Sequence, residues 1–232
     1  MPGFFITGTD TETGKTFVSS LLIKLLVDEG LKVVGMKPVA SGATTIDGSL
    51  KNEDALSLIH ASNVNVDYEK INPYVFEPAI SPHLAAEDAD VEIDLKKIKS
   101  NFDELEKKSD VVIVEGVGGW YAPLSYNCTV ADLAEELNQP IILVVGLRLG
   151  CLNHALLTAQ AIRQSGLPIA GWIANHVEKD FSVAEKNIHT INHFLSDFPF
   201  IGTVSHHSNL NEESSLKHIN KQVLINTLKI KK

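Results

Sequence analysis

Cysteine is scarce in this chain: its 232 residues include two, Cys128 and Cys151. They form neither a C-x-x-C pair nor a disulfide framework, which excludes the disulfide-stapled secreted scaffolds and makes a reducing cytoplasm the expected compartment. A basic block is also missing. The formal charge is −9, and the basic cluster Lys229, Lys231 and Lys232 sits at the very end, where a frayed tail is expected. An acidic chain of this kind argues against nucleic acid as the main partner. No apolar run reaches the length of a membrane span. The opening MPGFFITGTD lacks the basic start and long apolar stretch of a signal peptide, so neither membrane nor export is expected. Low-complexity tracts and internal repeats are absent. No HExxH occurs. His189 and His193 are spaced four apart, but the sequence identifies no third ligand, so a structural zinc site is not expected.

The apolar fraction of 44 % and charged fraction of 21 % are those of an ordinary globular protein with a core of its own. The length suits one large domain spanning 1–232. Short runs rich in Val, Ile and Phe alternate with stretches of helical period. Strands are expected at 4–7, 32–38, 110–116, 141–146, 169–175 and 200–204. Helices are expected at 14–29, 51–61, 94–108, 129–138, 152–165, 181–196 and 214–230. Uninterrupted apolar strands separated by helices indicate a parallel sheet covered on both faces. The fold class is therefore α/β, doubly wound, with sites at the carboxyl ends of the strands. The stretch 62–93 carries Pro73, Pro78 and Pro82 and little periodicity. It reads as an excursion over that carboxyl edge, on the substrate side.

The first expected strand leads into GTDTETGKT at 8–16. Gly14, Lys15 and Thr16 match the end of a phosphate-binding P-loop, G-x-x-x-x-G-K-[ST], but Gly8 stands one place too early. The context of strand, glycine-rich turn and helix is right. Free N–H groups of a first helical turn hold phosphate oxygens. Lys15 supplies positive charge, Thr16 a hydroxyl for magnesium, and Gly14 close backbone approach. The alternative is a plain turn capped by Thr11. Glu115 ends the third strand in VVIVEGVGG, where a carboxylate faces the phosphate crevice. Lys37 and Ser41 follow the second strand. Lys37 is either poised over that crevice or a surface lysine, and neither Lys15 nor Lys37 is expected in the core. Asp54 is locally no more than an acid in a helix's first turn. Asn175 ends the fifth strand, where its amide either reads an adenine edge or makes a turn.

Together GTDTETGKT, KPVASG at 37–42, SPHLAA at 81–86, VEGVGGWYAPLS at 114–125 and VVGLRLGCLNHALLT at 144–158 resemble the dethiobiotin synthetases, the ATP-dependent enzymes of biotin biosynthesis. The resemblance runs from about Phe4 to about Gly202. It implies a P-loop fold, a homodimer and a loop with the longer spacing seen here. It also implies the reaction: 7,8-diaminononanoate takes up CO2 as a carbamate, ATP phosphorylates it, and the second amine closes a ureido ring. By position, Glu12, Thr13, Gly14, Lys15, Thr16 and Phe17 would wrap the nucleotide phosphates. Thr16, Asp54 and Glu115 would hold Mg2+. Lys15 and Lys37 would stabilise charge on the carbamate and the transferring phosphoryl group. Thr11 and Ser41 would touch the diamine or carbamate. Glu115, Gly116, Val117 and Gly118 would line the nucleotide side, and Asn175, His176, Ser205, His206 and His207 the base side. Gly150, Cys151, Leu152 and Asn153 would offer helix N-terminal amides to the substrate carboxylate across a subunit boundary. The chain departs from the family where Val204-Ser205, then His206 and His207, replace the usual Ile-Pro, which implies weaker selection of the base.

Other readings are a P-loop ATPase of the partitioning or regulatory class, and a nucleotide-binding module without turnover. The first usually carries a second lysine early in the loop, where this chain has Gly8-Thr9-Asp10. The second has less need of Asp54 and Glu115. The amide-forming synthetases of corrinoid synthesis carry a further glutaminase domain, for which 232 residues leave no room.

Overall fold

The computed structural model describes residues 3–206 and 218–228. Six parallel strands make the central sheet: β1 (Gly3–Gly8), β2 (Val33–Met36), β7 (Val111–Glu115), β10 (Ile141–Gly146), β11 (Ile169–Asn175) and β12 (Phe200–Val204), in the order β12-β11-β10-β1-β7-β2. Between them run α1 (Lys15–Asp28), α2 (Glu53–Ala61), α5 (Leu95–Lys108), α6 (Val130–Leu137), α7 (Cys151–Ser165) and α8 (Ala184–Phe194). The last described helix, α9 (Lys221–Leu228), starts later than the expected 214–230 helix: of that range, 218–220 are described and not helical, Ile219 forming a β-bridge with Gly202.

Alternation along each strand divides the core into two layers. Phe4 and Ile6 of β1 pack with Leu22, Leu26 and Leu58 from α1 and α2, while Phe5 packs with Phe102 of α5 and Leu133 of α6 on the opposite face. With both faces covered, the strand residues are nearly all apolar, hence the long runs, and the polar residues Glu115 and Asn175 stand at carboxyl ends. No described helix is long and apolar enough to cross a membrane.

The expected strand 32–38 ends sooner, at Met36. Pro38 has no N–H to give a ladder, and it restricts the residue before it. The Lys37 N–H accordingly leaves the sheet and donates to the Ile71 carbonyl at 3.0 Å. Beyond the break, β3 (Val39–Ala40) pairs in parallel with β6 (Tyr74–Val75) in a separate small sheet. The stretch 62–93 therefore lies against the segment that continues from the carboxyl end of β2. It also contains two short helices, α3 (Tyr68–Ile71) and α4 (Pro82–Asp88). Two hairpins were not expected: β4 (Thr44–Ile46) with β5 (Ser49–Lys51), and β8 (Pro123–Ser125) with β9 (Cys128–Thr129). The first turns at Asp47-Gly48, both at positive φ (50° and 78°), the backbone a tight two-residue hairpin needs.

Candidate active site

The loop 8–16 links β1 to α1 and folds back over its own start. A Cβ on Gly8 would come within 2.4 Å of the Thr13 hydroxyl oxygen. The early glycine is thus required by this longer loop, whichever ligand the loop takes. Gly14 caps α1 at φ 80°, with no side chain capping the helix and no acidic residue in its first turn. Thr11 is not the cap. The amides at this helix start are therefore left for an anion. Glu12 also has positive φ, 58°. The Asp10 carbonyl accepts the Lys15 ammonium at 2.9 Å and the Thr13 hydroxyl at 3.3 Å, and Arg148 binds the Asp10 carboxylate at 2.6 Å.

A charged cluster stands beside this loop. Glu115, at the end of β7, accepts the Thr16 hydroxyl at 2.8 Å and the Lys37 ammonium at 2.6 Å through the same oxygen, Oε1. Lys37 also reaches the Asp54 carboxylate at 2.9 Å and the Gly116 carbonyl at 3.3 Å. Both lysines are buried, Lys15 being 7 % and Lys37 3 % exposed, contrary to the expectation that neither belongs to the core. Burial works to lower the pKa of Lys37, but Glu115 and Asp54 outweigh it and hold the ammonium above its ordinary value. Burial alone would raise the Asp54 carboxyl, but Lys37, the Thr16 hydroxyl and Lys15 bring it below. The carboxylate at the start of α2, locally unremarkable, is thus carried into the cluster by tertiary structure.

Burial, reinforced by Lys37, pushes Lys15 down to about 8. Bound phosphate oxygens would favour the charged form and raise it again. At about pH 8.5, nucleotide binding should therefore take up roughly half to three-quarters of a proton, whereas near pH 7 Lys15 is charged before and after. Calorimetry of ADP binding in buffers of different ionisation enthalpy measures this. The uptake should vanish in Lys15→Gln; its absence from the unsubstituted protein would mean that Lys15 is fully charged without ligand.

The remaining expected residues fall around the same edge or outside it. Gly119, next to Gly118, lies across the loop, its Cβ position 3.7 Å from the Gly8 carbonyl oxygen. Asn175 is fully buried rather than in a turn; its Nδ2 donates to the Thr13 carbonyl at 2.8 Å, while Oδ1 has no partner. His176 donates its backbone N–H to Val204, and burial, together with His206, lowers its pKa against the opposing pull of Glu185. Ser205 and His206 follow β12; His207 lies outside the described residues. Phe17 and Ser41 are half-buried, Thr11 and Val117 border solvent, and His189 and His193 are exposed on α8.

Gly150 caps α7 at φ 94° without a side-chain cap. The Cys151 N–H is not free as expected, since it donates to the Arg148 carbonyl at 3.0 Å. Leu152 and Asn153 supply the next amides of that turn. Two apolar side chains nearby face outward, Leu149 at 92 % and Leu157 at 63 % exposure.

Among the described residues no three His, Cys, Asp or Glu side chains gather as a metal site. The Thr16 hydroxyl with the carboxylates of Glu115 and Asp54 is a set of hard oxygen donors, and Glu115 Oε2 is buried without a partner. That composition fits Mg2+, which needs few protein carboxylates when phosphates complete its shell. Sequence reasoning missed Asn52, Tyr68 and Asn72, polar residues packed just behind this cluster.

The AAA domain family matches residues 2–214. The ATP-dependent dethiobiotin synthetase BioD of Aromatoleum aromaticum is 46 % identical over 88 % of this chain and 90 % of its own. That of Xanthomonas campestris is 44 % identical over 94 % of this chain and 97 % of its own. Among solved structures, the cell division protein MinD of Aquifex aeolicus superposes with a TM-score of 0.58 at 14 % identity, covering 98 % of this chain and 95 % of that one. MinD of Pyrococcus horikoshii, solved with Mg-ADP, gives 0.56 at 15 % identity, covering 97 % and 90 %. At those identities the MinD likeness establishes the P-loop fold alone. Sequence identity near 45 % along most of both chains decides the rest: the chain belongs to the ATP-dependent dethiobiotin synthetases, ligases of biotin biosynthesis.

Proposed function

We propose that the cluster of Thr16, Lys37, Asp54 and Glu115, set against the P-loop, is where the ureido ring of dethiobiotin is assembled. An amine of 7,8-diaminononanoate attacks CO2, forming a carbamate and releasing a proton. A carbamate oxygen attacks the terminal phosphorus of ATP, and ADP leaves. The second amine attacks the carbon of the resulting carbamic–phosphoric anhydride, phosphate departs, and the ring closes.

The observation that carries this reading is the pair of buried lysines. Lys15 lies at the helix start that faces phosphates, and Lys37 is held charged by two carboxylates. Developing negative charge on carbamate and phosphoryl oxygens is stabilised by fixed cations in a site sheltered from water, where they act most strongly. Thr16, Asp54 and Glu115 would hold Mg2+, which supplies further charge neutralisation on the phosphates when bound. Lys37 shares the oxygens of both carboxylates, so such an ion would compete with it and free its ammonium for the substrate. The orphan Asn175 Oδ1 is an acceptor suited to an amino group on the base.

The exposed Leu149, just before α7, and Leu157, near its middle, support a homodimer through that face, in which Leu152 and Asn153 give amides to the diamine's carboxylate in the neighbouring subunit's site. A reducing cytoplasmic setting accords with the unpaired Cys128 and Cys151.

Phosphate release from Mg-ATP tests the reaction order. It should require both the diamine and bicarbonate, with background hydrolysis when either is withheld. Equal release without the diamine would instead favour a nucleotide-driven switch of the kind the fold also serves.

A further inference from the structure

Behind the charged cluster, a chain of polar groups runs through the otherwise apolar base of the excursion. Asn52 and Asn72 are buried, 6 % and 2 % exposed. Asn52 Oδ1 caps α2, accepting the N–H groups of Asp54 at 3.1 Å and Ala55 at 3.3 Å. Its Nδ2 donates to the Ser41 carbonyl at 3.3 Å. The Asn52 backbone N–H donates to the Tyr68 hydroxyl at 2.8 Å, and that hydroxyl donates onward to Asn72 Oδ1 at 2.7 Å. Asn72 Nδ2 donates to the carbonyls of Lys37 at 2.7 Å and Tyr74 at 3.1 Å.

Every amide and hydroxyl of the relay is engaged, and the relay touches three residues of the proposed site: Asp54 by its helix cap, Lys37 and Ser41 by their backbones. These lie on separate segments, Lys37 before Pro38, Ser41 after it and Asp54 beyond the β4–β5 hairpin, so no common sheet or helix fixes their spacing. Tyr68 is itself anchored, with Lys51 stacked 3.6 Å above its ring. Burial raises the pKa of its phenol, partly opposed by the Asn52 N–H, and the neutral phenol donates to Asn72.

We propose that Asn52, Tyr68 and Asn72 are positioning residues for the reaction: they set the distance between the Asp54 carboxylate and the Lys37 ammonium, and with it the fit of the magnesium–phosphate group. Their own side chains act through those two residues. A fully satisfied buried network specifies one arrangement, whereas one missing member leaves its neighbours unpaired and free to shift. Displacements on the ångström scale in such a constellation cost about tenfold or more in rate.

The inference rests on reading Asp54 as a metal ligand, and the test separates the two. ADP binding is titrated calorimetrically with excess Mg2+ and again with EDTA, and kcat is measured at saturating substrates, all well below the melting temperature. For Tyr68→Phe we expect ADP affinity in EDTA to be unchanged, the gain conferred by Mg2+ to fall about tenfold, and kcat to fall about tenfold. Asn52→Ala should behave alike. Asn52→Ser keeps a neutral capping oxygen and should restore most of the Mg2+ gain lost in Asn52→Ala, since serine caps about as well as asparagine. A lowered melting temperature with unchanged kcat and Mg2+ gain in Tyr68→Phe would show the relay to be scaffolding and overturn the proposal. Should Tyr68→Phe fail to fold, the Asn52 pair decides, with equal Mg2+ gains for Ala and Ser overturning it. If the unsubstituted protein gains nothing from Mg2+, the metal reading fails, and an unchanged kcat in Tyr68→Phe then overturns the relay independently.

Discussion

Exchange of Lys37 for glutamine is expected to lower kcat by about two orders of magnitude or more, the scale seen when a preorganised electrostatic donor is removed from a site. The ammonium is buried between Glu115 and Asp54, 2.6 Å and 2.9 Å away. Glutamine keeps a hydrogen-bond donor but no charge, so the proposed stabilisation of carbamate and phosphoryl oxygens would be lost. Because Lys37 is buried, stability must change as well. Removing one partner of a buried ion pair typically costs about 3–5 kcal/mol, and here it leaves two carboxylates facing one another. Mg2+ between those carboxylates should return part of that stability without returning the rate. The check is kcat at a temperature where circular dichroism shows the variant folded, together with its melting temperature with and without Mg-ADP. A folded variant turning over at near the normal rate would reduce Lys37 to a structural counter-ion.

Mixing two nearly inactive proteins should restore activity. Asn153→Pro removes an N–H at the third residue of α7 and disfavours the helical conformation of Leu152, so the helix start proposed to hold the anion should be disrupted. Lys15→Gln disables the phosphate loop. In a homodimer whose sites each combine one subunit's phosphate loop with the other's helix start, a mixed dimer has one doubly defective site and one intact one. Its rate should approach about half that of the normal dimer. The measurement is activity after subunit exchange, with native mass spectrometry reporting the mixed species. Mixed dimers without recovered activity would place each site within one chain.

The six sheet strands were legible because burial on two faces leaves a continuous apolar run, and 141–146, 169–175 and 200–204 match β10, β11 and β12 residue for residue. The overrun at 32–38 came from reading Lys37 and Pro38 as part of the strand, when the chain leaves the sheet after Met36 and Pro38 diverts it into a second sheet. The hairpin around Asp47-Gly48 had a local signature, the Asp-Gly turn, but no apolar alternation beside it, since β4 is exposed. Within the site, Gly14-Lys15-Thr16 and Glu115 carry their placement in their neighbours: a strand before, a helix or glycines after. Asp54 has no such local mark, and its place beside Lys37 follows from the packing of α2 against α1 and β2. The relay was illegible for the same reason. Asn52, Tyr68 and Asn72 are ordinary turn and helix-end residues in sequence, and only the fold brings their polar atoms together.

The central claim is that this site joins one carbon to two amines at the expense of ATP. The most direct measurement supplies 13C-labelled bicarbonate, 7,8-diaminononanoate and Mg-ATP, and examines the product by mass spectrometry. The account predicts dethiobiotin carrying the heavy carbon in its ureido carbonyl, with one ADP formed per ring closed. ATP consumption without a labelled cyclic urea would contradict it.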